Sequence, residues 1–519
     1  MISKFLKIIL MIVAIAACNK VTPPNSAKQH PNIILIYTDD QGYGDASCYN
    51  DESKFKTPNI DRIGNEGLIF TDGHCSDTVC TPSRYGLLTG RYSWRTLRKS
   101  GVMGAEDTCM ITKNRLTLAS LLKKKGYNTA MSGKWHLGMD FPGTIDKRED
   151  WSNSIKDGPI DKGFDYFFGI AASMNYGVLT YLENDKVLEA PNLWTKKKVG
   201  EAIDDYRMMP PYDKEKGTNN IEVTASFKDV NVLTDFTKKA LDWLESVKAD
   251  VAKGKPFFLY VPYTSPHKPV CPRKDFVGKS EAGLYGDFMI ETDYHVGRIL
   301  DFLDDNKLSD NTMVIFTSDN GPEKTYIKRN ELYQHFSAGK LRGGKRDIYE
   351  GGHRVPFLIR WPAMIKAGRK CDEPVCQTDF LATFADILDI PLSDNEGEDS
   401  YSLYPSFTSD NFDTPLRGPI IHHSISGYFA IRHGPWKLNM FRGGTKPQKV
   451  KAGMPPMELY HLKDDLKESN NLYNKHPEKV KELTKEITAI VKNGRSTTGK
   501  KVPNDGPQWW KQLNWIPQP

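Results

Sequence analysis

Residues 32–40 read NIILIYTDD: a short apolar run, Asn32–Tyr37, and then Thr38 with two adjacent carboxylates, Asp39 and Asp40. Three later stretches repeat the design. Asn128–Ser132 leads into Gly133-Lys134-Trp135-His136, Phe257–Tyr263 into Thr264-Ser265-Pro266-His267, and Thr312–Thr317 into Ser318-Asp319-Asn320-Gly321. Apolar runs of this length, bounded by turn residues, predict buried strands. Helical patterns lie between them: Leu116–Lys125 stops at Gly126, and Asp287–Asp304 spaces Phe288, Ile290, Val296, Ile299, Leu300 and Leu303 for one apolar stripe. Strands alternating with helices predict an α/β fold, a mostly parallel central sheet flanked by helices on both faces. In such sheets the chemistry gathers beyond the carboxyl ends of the strands, where all four runs place charged or imidazole side chains.

Working outward, 519 residues allow two to four domains at about 150 residues each. Hydrophobic residues at 39% and charged residues at 26% exclude wholesale disorder and fibrous repeats. The formal net charge of +6 is too small and too dispersed for a nucleic-acid binder, and eight cysteines do not make a disulfide scaffold. Beyond about residue 400 the texture changes. Segments 419–424, 428–433 and 436–441 predict an antiparallel meander, with turns at Gly427 and Gly434-Pro435, and 476–493 predicts a helix with Val480, Leu483, Ile487 and Ile490/Val491 on one face. The expected layout is a catalytic domain over 31–400 and a smaller C-terminal α+β domain over 401–519.

The first eighteen residues read as a targeting segment. Lys4 and Lys7 precede ten uninterrupted apolar residues, Ile8 to Ala17, a signal-peptide core well short of the ~20 needed to span a bilayer. Its end, Ile15-Ala16-Ala17-Cys18, resembles the bacterial lipoprotein signal, in which the cysteine is lipidated. A plain signal peptide cut near Ala17 and a short buried helix are the alternatives. Residues 19–30, polar and with a Pro pair, suit a flexible tether. The expectation is a bacterial envelope protein held to the membrane only by a lipid on Cys18, facing the periplasm or the cell surface.

Asp39-Asp40 and Asp319-Asn320 supply three carboxylates and one amide, each pair following a strand. That set suits a hard divalent cation, although Asp and Asn also serve as helix caps and Asx turns. The specific signal is Cys80-Thr81-Pro82-Ser83-Arg84, continuing through Leu87-Leu88-Thr89-Gly90-Arg91. Here the sequence resembles the type I sulfatases of the alkaline phosphatase superfamily, whose signature is Cys-x-Pro-Ser-Arg followed by Leu-Thr-Gly-Arg. Thr38–Asp45, Gly133–Gly138, Ser265-Pro266-His267, Thr317–Gly321, Leu341–Lys345 and Glu350–Pro356 resemble the family's other blocks in order and approximate spacing, over nearly the whole chain after the targeting segment.

The resemblance implies a fold and a set of roles. The fold is alkaline-phosphatase-like. A maturation enzyme converts Cys80 to formylglycine, an aldehyde whose hydrate attacks sulfur and then collapses to expel sulfate, which a thiol cannot do. One divalent cation, Ca²⁺ ahead of Mg²⁺, is held by Asp39, Asp40, Asp319, Asn320 and the Cys80-derived group. Arg84 and His136 orient and activate the diol, Lys134 and Lys345 bind sulfate, His267 with Lys345 protonates the leaving oxygen, and Ser173 touches sulfate. The implied substrate is a sulfated saccharide. Asp161–Gly169 and Gly278–Ser280 with Tyr285–Phe288 resemble a carbohydrate branch tied to 6-O-sulfate on galactose or N-acetylgalactosamine. Sugar-reading residues are expected around 170–185, 205–220, 268–285 and 323–340. A phosphonate or phosphate ester hydrolase of the same superfamily and a non-catalytic glycan-binding lipoprotein are the competing readings. Of the remaining cysteines, Cys371 and Cys376 are the expected local pair.

Overall fold

The computed structural model describes residues 30–142, 150–196, 210–217 and 220–518; the targeting segment, Cys18 and nearly all of the tether lie outside the described residues. A ten-stranded sheet forms the centre. Its five middle strands run parallel in the order Thr312–Ser318, Asn32–Asp39, Phe257–Pro266, Asn128–Lys134, Tyr166–Ile170. Antiparallel pairings appear towards both edges, at Phe357–Arg360 on one side and Leu182–Glu183 on the other. The four runs singled out from sequence are thus contiguous in the parallel core. Each extends one to three residues past its apolar stretch, so that Thr38, Asp39, Gly133, Lys134, Ser265 and Ser318 are themselves strand residues.

Period-two alternation explains the layers. Ile33, Leu35 and Tyr37 pack into one core with the helices Cys80–Thr89, Leu118–Lys123 and Phe380–Ile387. Ile34 and Ile36 point the other way, into a second core with Pro58–Asn65, Val232–Ala252 and Gly283–Asp305. Both faces of the sheet are therefore covered, which is why its strands read as continuous apolar runs. The helix expected over 116–125 is shorter: Thr117 caps it by accepting from the Ser120 N–H, and it ends at Lys123, with Gly126 (φ 80°) closing the following turn.

The C-terminal meander forms, and it gains a strand that the sequence did not signal. Ile420–His423, Phe429–His433, Trp436–Asn439 and Glu458–His461 make one antiparallel sheet, with the last strand returning after a long connection. Helix Pro477–Asn493 covers it with Leu483, Ile487, Ile490 and Val491, and Tyr92 and Trp94, just past the Cys80 helix, complete that core. Arg95 clamps Asp399 through two 2.7 Å hydrogen bonds, and Arg91, the last residue of the twelve-residue signature, pairs with Glu398 and Asp505.

A buried polar chain crosses the seam between the two sheets. Asp72 accepts from His74 Nε2 (2.7 Å), and His74 Nδ1 meets His353 Nδ1 at 3.0 Å. Lys437 Nζ lies 3.1 Å from His353 Nε2 and bridges Glu350 (3.0 Å) and Glu468 (2.9 Å). His353 Nε2 also lies 3.1 Å from the Ile348 carbonyl, so both ring nitrogens of His74 and of His353 are engaged along the chain. Arg432 closes the ring on Asp72 at 2.6 Å.

The expected Cys371–Cys376 disulfide does not form. Cys371 pairs along the large sheet beside Phe70 and Cys376 along a separate two-stranded ribbon beside His74, so the two backbones diverge; none of the seven cysteines among the described residues is in a disulfide.

Candidate active site

Asp39 ends one central strand with Asp40 next, and Asp319-Asn320 directly follow its parallel neighbour, so register puts the two pairs side by side. Asp40 donates its N–H to Asp319 Oδ1 (3.1 Å), and Asn320 Nδ2 donates to Asp40 Oδ1 (2.7 Å). Asp40 and His136 hold φ of 64° and 59°, a left-handed backbone that costs roughly 1–2 kcal/mol for a non-glycine residue and here aims both side chains inward. Close approach matters too: a Cβ on Gly133 would sit 2.2 Å from the Pro262 carbonyl oxygen, and one on Gly321 would sit 1.8 Å from that of Gly351.

Cys80 opens the helix Cys80–Thr89 and is buried at the site, with an Asp39 oxygen, an Asp319 oxygen and its own Sγ within 4.8 Å of one another. Burial raises the Cys80 thiol above its ordinary pKa in spite of Lys134 and Lys345, so the unmodified side chain is a poor nucleophile. Three cations are laid against the carboxylates. Arg84 holds Asp319 (2.7 Å) and the Lys134 carbonyl (3.2 Å), Lys134 contacts Asp39, and Lys345 contacts Asp40 (2.6 Å). Burial tends to raise Asp40, but Lys345 and His267 outweigh it and hold it below the usual range. Asp319 is pushed up to about 6 by burial and by Asp39, against the pull of Arg84.

The two histidines differ in which nitrogen is spent. His136 Nε2 lies 2.9 Å from the Met103 carbonyl, leaving buried Nδ1 without a partner, and burial with Lys134 keeps the ring neutral. His267 Nδ1 lies 2.6 Å from the Lys268 carbonyl, so Nε2 is the free position, 3.6 Å from Asp40 Oδ2; burial and Lys345 hold its pKa down to about 3. Buried Asp39 Oδ1 and Asn320 Oδ1 also lack hydrogen-bond partners. Unpartnered acceptor oxygens among convergent carboxylates are what a hard cation requires, so these residues fit one.

Above this floor lies a cavity of about 170 Å³ lined by Cys80, His267 and Lys345. Its remaining wall includes residues that no motif marked: Asn175, Tyr176, Glu323 and Arg346. The expected ranges 170–185, 268–285 and 323–340 do reach it through Asn175, Tyr176, Lys268 and Glu323, whereas none of its lining residues falls in 205–220, part of which is outside the described residues. Arg346, which passes in sequence for a solvated basic turn, holds Glu323 at 2.5 and 2.8 Å. Ser173 is buried with Oγ unpartnered but is not among the residues lining this cavity. The carbohydrate-branch residues serve the fold: Asp165 caps Thr129 and pairs with Lys123, and Asp287 caps Gly278 and Ser280. A larger cleft of about 760 Å³ lies at the seam, away from Cys80. Its Arg354, Arg417 and Arg432 are already paired with Asp72 and Asp379, so it holds little charge in reserve for a ligand.

Comparison with known proteins agrees with this geometry. The sulfatase family matches residues 31–390, and the chain belongs to it, a sulfuric ester hydrolase on the alkaline phosphatase fold. The C-terminal N-sulphoglucosamine sulphohydrolase family matches residues 343–496. An N-acetylgalactosamine-6-O-sulfatase of Bacteroides thetaiotaomicron is 32% identical over 521 residues, covering 94% of this chain and 99% of the relative. The human N-acetylgalactosamine-6-sulfatase is 29% identical, covering 95% and 91%. A solved structure from work on the metabolism of multiple glycosaminoglycans by Bacteroides thetaiotaomicron superposes with a TM-score of 0.75 at 32% identity, over 89% of this chain and 99% of that one.

Proposed function

We propose that this chain removes sulfate from the end of a sulfated saccharide, with 6-O-sulfo galactose or N-acetylgalactosamine as the substrate, using a formylglycine made from Cys80. The observation that carries this is the convergence of Cys80, His267 and Lys345 on one small cavity directly above the carboxylate cluster. At about 170 Å³ the cavity is below the ~300–1,000 Å³ typical of drug-sized ligands, which suits one ring rather than a run of sugars and so favours exo action. Two relatives are named for the 6-sulfate of N-acetylgalactosamine, which supports that sugar and position.

A formylglycine derived from Cys80 would supply, as its hydrate, the oxygen nucleophile for sulfur and the second hydroxyl that lets sulfate leave. Asp39, Asp40, Asp319 and Asn320 would hold Ca²⁺, which when bound supplies Lewis-acid charge beside that group and the sulfate. The protein's own residues do the rest. Arg84, spent on Asp319 and on the Lys134 carbonyl, fixes the carboxylate floor. His136, donating through Nε2, keeps Nδ1 as the acceptor for a hydroxyl proton at position 80. Lys134 and Lys345 transfer their donors from carboxylate to sulfate oxygens as negative charge builds, and the N-terminus of the Cys80 helix adds partial positive charge. His267 lines the cavity beside Lys345, but with its ring neutral and Nδ1 given to the Lys268 carbonyl its Nε2 is bare, so the Lys345 ammonium carries the proton for the leaving sugar oxygen and His267 is assigned a share in that step only by resemblance. Ser173 is assigned to sulfate only by resemblance.

The proposal extends to a maturation enzyme acting on Cys80, to a lipid on Cys18 anchoring the protein in the bacterial envelope, and to a division near residue 400 between catalytic and C-terminal units. Peptide mass spectrometry of protein from its native host, followed by assays on position-defined sulfated sugars, tests it. The expected result is an aldehyde at position 80 with sulfate released from 6-sulfated galactose or its N-acetyl amine. Active protein bearing an unmodified thiol would overturn the mechanism.

A further inference from the structure

Two consecutive cations line the cavity that holds Cys80, and they are spent differently. Lys345 is drawn onto Asp40 of the carboxylate floor, whereas Arg346 is bound to Glu323, a cavity residue outside that floor. Arg346 holds a φ of 81°, in the left-handed region, and its N–H is pinned to the Thr78 carbonyl at 2.8 Å. A non-glycine residue is strained there, and such strain persists where the surroundings fix it, above all at sites of function. The pair is also more accessible than the ester-cleaving groups. The Glu323 side chain is 12% exposed and that of Arg346 29%, against 5% or less for Lys134, His267 and Lys345.

Hydrogen-bonding capacity remains on it. Glu323 Oε1 accepts from Arg346 Nη1 and from the Lys324 N–H (2.9 Å), while Oε2 accepts only from Arg346 Nη2 (2.8 Å). Lys345 Nζ, 3.9 Å from Oε2, is beyond hydrogen-bond reach, so one of the carboxylate's about four acceptor positions is unfilled. Burial would raise the Glu323 carboxyl, but the Arg346 hydrogen bonds and the Lys345 charge outweigh it and keep the group ionised. An ionised carboxylate repels sulfate oxygens, and it neutralises the guanidinium beside it. A sugar hydroxyl is the complementary partner, since it can donate to the carboxylate.

We propose that Glu323 reads the substrate, its Oε2 accepting a hydrogen bond from a ring hydroxyl of the sulfated sugar, and that Arg346 positions the carboxylate for that contact. The inference rests on the sulfated-saccharide reading above. The hydroxyls in question are those at C3 and C4, which galactose and N-acetylgalactosamine share. Lys134 and Lys345 draw the sulfate towards the floor while Glu323 keeps it from the side wall, so one charge pattern sets both ends of the ring. Glu323 acts on specificity, and no proton or bond of the ester passes through it.

The test compares matured wild type, Glu323→Ala and Arg346→Lys on an aryl sulfate with no sugar, on the 6-sulfates of galactose and N-acetylgalactosamine, and on the 3-deoxy and 4-deoxy analogues of the sugar that wild type cleaves. In wild type, one deoxy analogue should lose about 10-fold or more in kcat/KM, and in Glu323→Ala that penalty should vanish. The ratio of kcat/KM for sugar over aryl sulfate should fall by a similar factor in Glu323→Ala, carried mainly by KM, with the unfolding temperature unmoved. Arg346→Lys keeps the charge but loses the two-pronged hold, and should show a smaller fall in the same ratio. A deoxy penalty that persists in full in Glu323→Ala, or no penalty for either analogue in wild type, overturns the role of Glu323 alone. Wild type that cleaves aryl sulfate but neither sugar overturns the sugar-reading role together with the substrate, and wild type idle on every probe overturns the proposed mechanism as well.

Discussion

Beneath the cavity, Asp39, Asp40 and Asp319 face Arg84, Lys134 and Lys345; at the seam, Asp72, Glu350 and Glu468 face Arg354, Arg432 and Lys437. The inventories match, three acids and three bases, and both clusters are largely out of water. Their wiring differs. At the seam the cations Arg432 and Lys437 come from the C-terminal sheet and meet Asp72 and Glu350 of the central part, so each pair joins two stretches of chain far apart in sequence. His422, stacked on His353 at 3.5 Å, fills the remaining space as a neutral ring. Under the cavity the acids are neighbours on adjacent strand ends, unpartnered oxygens converge among them, and the lysines reach in from the side. Lysines placed in this way can exchange a carboxylate for a sulfate oxygen. The same Coulombic attraction therefore gives cohesion where partners are fixed and chemistry where they can be replaced.

The largest effect separates the two regions outright. Cys80→Ala should lower sulfate release by ~10³-fold or more while the unfolding temperature stays within a few degrees of wild type. Loss of the fold in that variant would break the comparison. Lys437→Met should do the reverse: Glu350 and Glu468 lose their shared ammonium, and about 3–5 kcal/mol of stability goes with it, read from denaturant unfolding. Enzyme that remains folded should keep its kcat, and a variant stable but inactive would mean that the seam feeds the site.

A cation titration sharpens the contrast further. Ca²⁺ at ~100 times its Kd should stabilise the protein by about 2.7 kcal/mol, and Asp319→Asn should weaken that response; exhaustive chelation should abolish turnover reversibly. Equal Ca²⁺ responses in wild type and Asp319→Asn would remove the carboxylate floor as the binding site.

The smallest effect is a pH slope. Burial raises Glu468 to about 7, against the pull of Lys437. A carboxyl whose folded pKa is raised binds more protons folded than unfolded. Its contribution is full below the ordinary glutamate range and is lost as pH rises through about 7. Glu468→Gln should therefore flatten the decline in unfolding temperature between pH 5 and 8, by a margin on the order of 1 °C. An identical slope in wild type and variant would assign the decline to other groups.

Much of the site was legible because its residues are local to strand ends. Asp39-Asp40, Lys134-His136, His267 and Asp319-Asn320 each follow an apolar run, and the parallel order of those runs brings them together. The unmarked residues are those whose role depends on what lies across space. Glu323 and Arg346 are ordinary surface types in sequence and become a cavity wall only through each other. Asn175 is one polar residue in a loop until burial strips it of partners. The fourth strand of the C-terminal sheet, Glu458–His461, escaped because it pairs across a long connection with Trp436–Asn439 rather than through a short hairpin turn.

By itself the sequence determined the class of fold, since continuous apolar runs ending in charge suit the strands of a sheet covered on both faces, and its motifs singled out Cys80 and the set Asp39, Asp40, Asp319 and Asn320 as candidates. Only the tertiary structure decided which nitrogen of His136 and His267 is free, that Arg91 and Arg95 are spent on holding the C-terminal part, that Cys371 and Cys376 stay apart, and that Asn175 lines the cavity. Each of these depends on which groups meet after long-range packing removes water, and a linear pattern carries no record of that.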